Sequence, residues 1–291
     1  VNVEWDIPME LLTPYGTLPF NDEIGGGNTV QLLLDPARCQ TSAGIRLTRD
    51  PFSQRDGSIV HREFTEGYAV HMAGWIMADQ DTPACTADLR ETWETLQMHL
   101  HVLLGNDPGG VLTGDNNRLI WTPSGTGGVN RLLGDVRLLE EAQTSFDAGI
   151  TQFAFALHSR FPYAISITEH TESISQGSST VLANGGNVPT FPNFKIYGPL
   201  AGFAQITNET TGQTFVYDTA LPGASIIDVG DYGFVGTFAE NMYLNGAGLN
   251  LKPGIDVEQS DFWPLVPGNN NVSVDGDTGI SIDVIWNDAW Y

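Results

Sequence analysis

The stretch Phe262–Gly276, FWPLVPGNNNVSVDG, followed by Gly279–Trp290, GISIDVIWNDAW, decides how the second half of this chain is read. Two aromatics, two prolines and a glycine–asparagine run lead into alternating apolar and polar residues. Pro264 and Pro267 fix φ on either side of Leu265, while Gly268 and Asn269 to Asn271 permit a tight reversal. The alternation puts Ile280, Ile282, Val284 and Trp286 on one face, which predicts a strand with that face in the core. The two segments read as a final hairpin with a set register, because a slip of one residue would turn Ile282 and Val284 outward. Nothing in the stretch resembles a nucleophile or a metal cluster.

Working upstream, Asn193–Asp218 reads NFKIYGPLAGFAQITNETTGQTFVYD, with ITN and TFVYD flanking a Thr-Gly turn like two arms of a hairpin. His170–Pro192 is polar at first and closed by proline, so it reads as a linker or as the first strand and turn of a new unit. No helical periodicity occurs from there to Tyr291. The second half is predicted to be an all-β sandwich.

The first half reads as strands with one helix. VQLLLD, from Val30, fits a buried strand, and YAVHMAGWIMAD, from Tyr68, is strand-like with Ala69 or Gly74 marking a close approach. Between them, Arg49–Gly67 reads as exposed loop with a turn at Asp56-Gly57. In Ile150–Arg160, Phe153, Phe155 and Leu157 alternate with Gln152, Ala154, Ala156 and His158, the pattern of a strand packed on a core. The helix is Thr86–Gly105, with Thr86 as cap, Asp88 and Glu91 near its positive end, and Gly105 closing it. Its stripe is Leu89, Trp93, Leu96, Leu100 and Leu103.

At 291 residues and 31.5 kDa, two domains fit the length better than one. The boundary is placed between 1–170 and 171–291. The formal net charge of -23 opposes binding to nucleic acid or anionic lipid. All arginines lie between Arg38 and Arg160, and the two lysines, Lys195 and Lys252, come later. The second half is therefore almost purely acidic. Cys39 and Cys85 are too few for a disulfide framework.

Motifs for chemistry are weak. The six histidines, His61, His71, His99, His101, His158 and His170, show no metal spacing, and His99 and His101 fall on different helix faces. No G-x-S-x-G occurs, and neither Gly25–Gly27 nor SGTGG from Ser124 carries the Lys-Ser/Thr pair of a phosphate loop. Glu140-Glu141 is an adjacent pair without the flanking geometry of a glycosidase. Asp275 and Asp277, in DGDTG, resemble part of a calcium loop, but the later ligands are missing and a hairpin turn explains them. No catalytic, cofactor or metal residues are assigned, and no enzymatic activity is expected. Trp263, Trp286 and Trp290 could stack on a pyranose, although the alternation around Trp286 points it into the core.

The order of segments resembles the distal tail proteins, or minor tail proteins, of long-tailed, non-contractile bacteriophages. The resemblance rests on Leu265, Pro267, Gly268 and Asn270, then Trp286 and Trp290, together with Asp135–Ser166, Asn184–Pro199, Ile206–Gly212, Arg55–Ser58 and Gly67–Ile76. It implies a mainly β chain: an N-terminal belt domain of strands with one long helix, then a galectin-like β-sandwich. It also implies a virion protein at the distal end of the tail, self-associated in a hexameric ring, joining the tail tube to tail-tip and hub proteins and letting the genome pass. The alternative reading is a carbohydrate-binding module of the tail tip that attaches to a host-surface saccharide. No cofactor and no specific nucleic-acid binding is implied.

Overall fold

The computed structural model describes residues 7–21, 30–51, 58–78, 83–103, 117–123, 129–134, 136–147, 150–159, 163–197, 199–220, 226–229, 242–244, 254–256 and 258–290. The chain divides into two units, Val1–Ala164 and Ile165–Tyr291.

In chain order the first unit holds β1 (Met9–Thr13), β2 (Gly16–Phe20), β3 (Val30–Leu34), β4 (Gln40–Pro51), β5 (Ser58–Ala78), α1 (Pro83–Leu103), β6 (Arg118–Trp121), β7 (Arg131–Leu133), β8 (Val136–Asp147) and β9 (Ile150–Ser159). One sheet runs β2-β1-β6-β7. The other is organised by β5, whose length lets it hold partners on both edges. On one edge β3 and β4 lie end to end, from Val30↔Ala78 to Leu34↔Gly74 and then from Gln40↔His71 to Pro51↔Ser58. Its other edge takes β9, from Tyr68↔Ser159 to Met77↔Ile150, and β8 follows β9. Between β3 and β4 the chain bulges, and the buried Cys39 thiol takes over a backbone role there. Its Sγ accepts from the Ala73 N–H and donates to the Ala73 carbonyl, each at 3.3 Å.

The core of this unit forms because the alternation in β9 and the stripe on α1 meet. Phe153, Phe155, Leu157, Val70, Met72 and Ile76 are buried with Leu89, Leu96, Leu100 and Leu103, and Trp93 is half-buried against them. Three expectations change. Arg49–Gly67 is largely not loop: Arg49–Pro51 belongs to β4 and Ser58–Gly67 to β5. A partner strand supplies the backbone bonds there, so polar residues need no apolar period to be extended; Asp56-Gly57 lies outside the described residues. The helix starts at Pro83, so Thr86 is inside it and cannot be its cap, and its first turn holds no acid. Proline suits that first turn, where its missing N–H would have no helical partner anyway. Gly105 lies outside the described residues.

β10 (Ala164–Ser166) contains the boundary. The second unit then holds β11 (His170–Ser175), β12 (Ser178–Asn184), β13 (Asn193–Tyr197), β14 (Ala204–Asn208), β15 (Gln213–Tyr217), β16 (Ile226–Val229), β17 (Met242–Leu244), β18 (Gly268–Gly276), β19 (Ser281–Trp286) and β20 (Ala289–Trp290). Two antiparallel sheets, β11-β19-β13-β16-β17 and β12-β18-β14-β15, enclose one core. That is a β-sandwich. His170–Asn184 supplies a strand to each sheet, and β14 and β15 form the expected hairpin around Gly212, whose φ is 73°. Ile282, Val284 and Trp286 are buried, as the alternation required.

The final segments do not form a hairpin with each other. β18 pairs with β12 and β14, and β19 pairs with β11 and β13. With both edges of β18 already filled, β19 has no edge to join and crosses to the opposite sheet. Asp277–Gly279 is thus a corner between layers.

Candidate functional site

The prolines and asparagines of the opening stretch meet a set of buried amides. Asn184, Asn208 and Asn270 are all buried. The Asn270 side chain accepts from the Val266 N–H at 2.9 Å and donates to the Val266 carbonyl at 2.8 Å and that of Gly268 at 3.1 Å. Asn184 donates to the carbonyls of Leu265 at 3.0 Å and Val188 at 2.9 Å, and Asn208 reaches the Pro264 carbonyl at 3.3 Å. Leu265 also exchanges backbone bonds with Thr190, at 2.7 and 3.0 Å. Pro264 and Pro267 lack the N–H groups that would otherwise add demand here, and the amides satisfy most of what remains. Asn270→Ala should leave both polar groups of Val266 without these partners and lower stability by about 2–4 kcal/mol in a urea titration. A change within about 0.5 kcal/mol would contradict that role. In sequence Asn269–Asn271 read as turn formers; the signal that Asn270 is buried is its alternation with Val272 and Val274 on the inward face.

A second polar cluster holds the C-terminal end. Asn287 donates to the carbonyls of Ser166 and Thr168 at 3.0 and 3.2 Å, and the Asp288 carboxylate accepts the Gly185 N–H at 2.7 Å. His170 stacks on Trp286 at 5.1 Å and lies 3.4 Å from the Asp288 carboxylate. The Trp286 indole N–H donates to the Ala183 carbonyl at 3.1 Å. All of these contacts fix chain ends and edges.

The sequence-level candidates are dispersed. His71 and His158 share one face of the β5–β9 pair as diagonal neighbours, since His71 is opposite Ala156 and His158 opposite Ala69. His101 is exposed and His99 is buried, which confirms the two helix faces. His99 Nδ1 lies 2.6 Å from Thr13 Oγ1, and burial holds its pKa below the ordinary 6.5. The sign follows: the unfolded chain takes up a proton below about pH 6.5 that the folded chain resists. Stability is therefore full above that value and falls as the pH drops through it. Melts of wild type and His99→Gln should diverge as pH falls from 7 to 5.5, wild type losing more; parallel curves would contradict this. The side chains of His61, Glu140 and Glu141 lie outside the described residues, as do Gly25–Gly27 and Ser124–Gly128.

Asp277 and Asp275 do separate jobs. The Asp277 carboxylate accepts the backbone N–H groups of Gly202 at 2.7 Å and Phe203 at 2.9 Å, and these bonds hold its pKa below the usual carboxylate range. Asp275 accepts the N–H of Gly276 at 2.8 Å. Melting temperatures of wild type and Asp275→Asn should match each other with excess calcium and with chelator. A calcium-dependent rise in wild type that vanishes in the variant would contradict this. Trp263, Trp286 and Trp290 are 1%, 6% and 8% exposed, so none offers a free face for a sugar within this chain.

What the described residues do present are strand edges. β8 pairs only with β9, and the far part of the β4–β5 ribbon, from Ile45↔Thr65 to Pro51↔Ser58, pairs only within itself. A head-to-tail assembly would use such edges.

A solved structure shares this fold over nearly the whole chain. The crystal structure of the Dit protein of phage SPP1, described as a paradigm of the hub adsorption apparatus in phages infecting Gram-positive bacteria, superposes with a TM-score of 0.60 at 14% identity. The match covers 98% of this chain and 99% of that one. This chain has the Dit fold. Looser matches, each with a TM-score of 0.42 at 10% identity, are to chains of the phage P2 baseplate in its activated conformation, with calcium and with strontium. Each covers 96% of this chain and 97% of the other. No protein-family model and no curated protein matches the sequence. The Dit fold thus persists where sequence identity is too low to show it, because burial and register constrain side-chain volume and period more than identity.

Proposed function

We propose that this chain is a structural distal tail protein of a bacteriophage virion, located at the distal end of the tail. The single observation that carries the reading is the Dit fold over nearly the full length of both chains. In this reading the first unit is the belt domain and closes a ring of six copies, and the second is a galectin-like sandwich. The ring joins the tail tube to tail-tip and hub proteins and leaves a passage for the genome. The open edges of β8 and of the β4–β5 ribbon support a head-to-tail contact, since a rotation that closes leaves no free edge. A net charge of -23 suits a wall past which DNA must slide without sticking. The protein acts by shape and contact, with no enzymatic step.

Native mass spectrometry of the purified chain, alone and with its tube and hub neighbours, tests the ring. Masses at six times 31.5 kDa are expected. A monomer under every condition would overturn the reading.

A further inference from the structure

The two edges of the β12-β18-β14-β15 sheet are treated differently by the chain. The β15 edge is covered: Asp256 N–H donates to the Val216 carbonyl at 3.1 Å and Asp261 N–H to that of Thr214 at 2.6 Å. Ser260 Oγ accepts the Val216 N–H at 2.9 Å, and Ile255 bridges Tyr217. The β12 edge is left open. Asn271 directs its N–H to Thr210 Oγ1 and its carbonyl to the Glu209 N–H, both on the β14 side. By alternation Asn270, Val272 and Val274 face β12, and their partners Leu182, Thr180 and Ser178 face back. The backbone groups of Ser179, Val181 and Ala183 therefore point outward. The Ala183 carbonyl is taken by the Trp286 indole and the next outward N–H, of Gly185, by Asp288. Beyond that cap, Ser179 and Val181 each offer an N–H and a carbonyl, and among the described residues nothing pairs with them.

Edge strands in monomers are normally blunted by charge, proline or a bulge. Ser178–Asn184 has no charge and no proline, its register with β18 is unbroken, and Val181 is 60% exposed. Pairing two copies edge to edge would bring together two units that each hold fourteen acids against two lysines. One of those acids, the exposed Glu172, lies on the adjoining β11. A strand of opposite charge fits, and a second copy does not.

We propose that the outer edge of β12, at Ser179 and Val181, is a docking site for an extended, lysine- or arginine-bearing strand of a different protein, which adds to the sheet by backbone pairing. The site lies in the second unit and does not depend on the ring.

The test is amide hydrogen exchange on the full chain with two probes at millimolar concentration, the peptides acetyl-Lys-Val-Thr-Val-Lys-amide and acetyl-Glu-Val-Thr-Val-Glu-amide. The lysine peptide should slow exchange at Ser179 and Val181 at least tenfold, less so in high salt, and the glutamate peptide should not. Val181→Pro should abolish the protection while keeping the melting temperature, because the N–H it removes points away from β18. If that variant fails to fold, Ser179→Pro serves by the same reasoning. Protection by neither peptide, or by both equally, overturns the proposal. So does protection that rises with the concentration of the protein alone, which would assign the edge to a second copy.

Discussion

Trp263→Ala should destabilise the second unit by about 3–5 kcal/mol, the range for removing a buried aromatic side chain. Trp263 is 1% exposed and its ring packs against Phe194 at 5.2 Å, in the core shared by Phe215, Leu265 and Val284. Among the described residues its indole N–H has no partner, so the loss is one of apolar contact and cavity rather than of a hydrogen bond. The neighbouring Phe262 is half-buried, packs on Phe215 at 5.6 Å, and should cost less when truncated. Urea titration read by near-ultraviolet circular dichroism measures both. A Trp263→Ala change below about 1 kcal/mol would mean that the stretch before β18 does not close the sandwich.

Gly74→Ala should be at least as damaging to the first unit. A Cβ at this position would sit 1.9 Å from the Leu33 carbonyl oxygen and 2.9 Å from its carbon. Those are backbone atoms of β3, held in register by Leu34↔Gly74 and Leu33↔Trp75, so β3 must move away from β5. A displacement of that size in a packed sheet is expected to cost more than about 3 kcal/mol. Gly202→Ala is the control, because a Cβ there meets nothing within 4 Å. If Gly74→Ala melts with wild type, β3 does not lie where the structure puts it.

Much of this fold is legible in the residues. The alternation in β9, the stripe on α1 and the turn at Gly212 each state a period or a backbone angle that only one element satisfies. Gly74 could be read as a close approach because a strand interior has little other use for glycine. What could not be read is pairing. Arg49–Gly67 carries no apolar period in its sequence, and the strand character of its described residues comes from β4 and β5 holding each other. For β18 and β19 the alternation gave two strands correctly, but adjacency in sequence favoured a hairpin that occupied edges forbid. The polar clusters around Asn270 and Asp288 were illegible for a related reason. Asparagine and aspartate signal a turn equally well whether they cap their own backbone or bond to chain segments scores of residues away. The helix start was missed because threonine is a good cap and the proline three residues earlier is a good first residue.

The proposed ring at the distal end of a phage tail is tested most directly by cryo-electron microscopy of the tail tip of virions that carry this chain. The expected map shows copies of the two-unit fold in a closed six-fold ring between tube and hub, around an open channel. A virion whose tail tip lacks this chain, or holds it as a single off-axis copy, would contradict the claim.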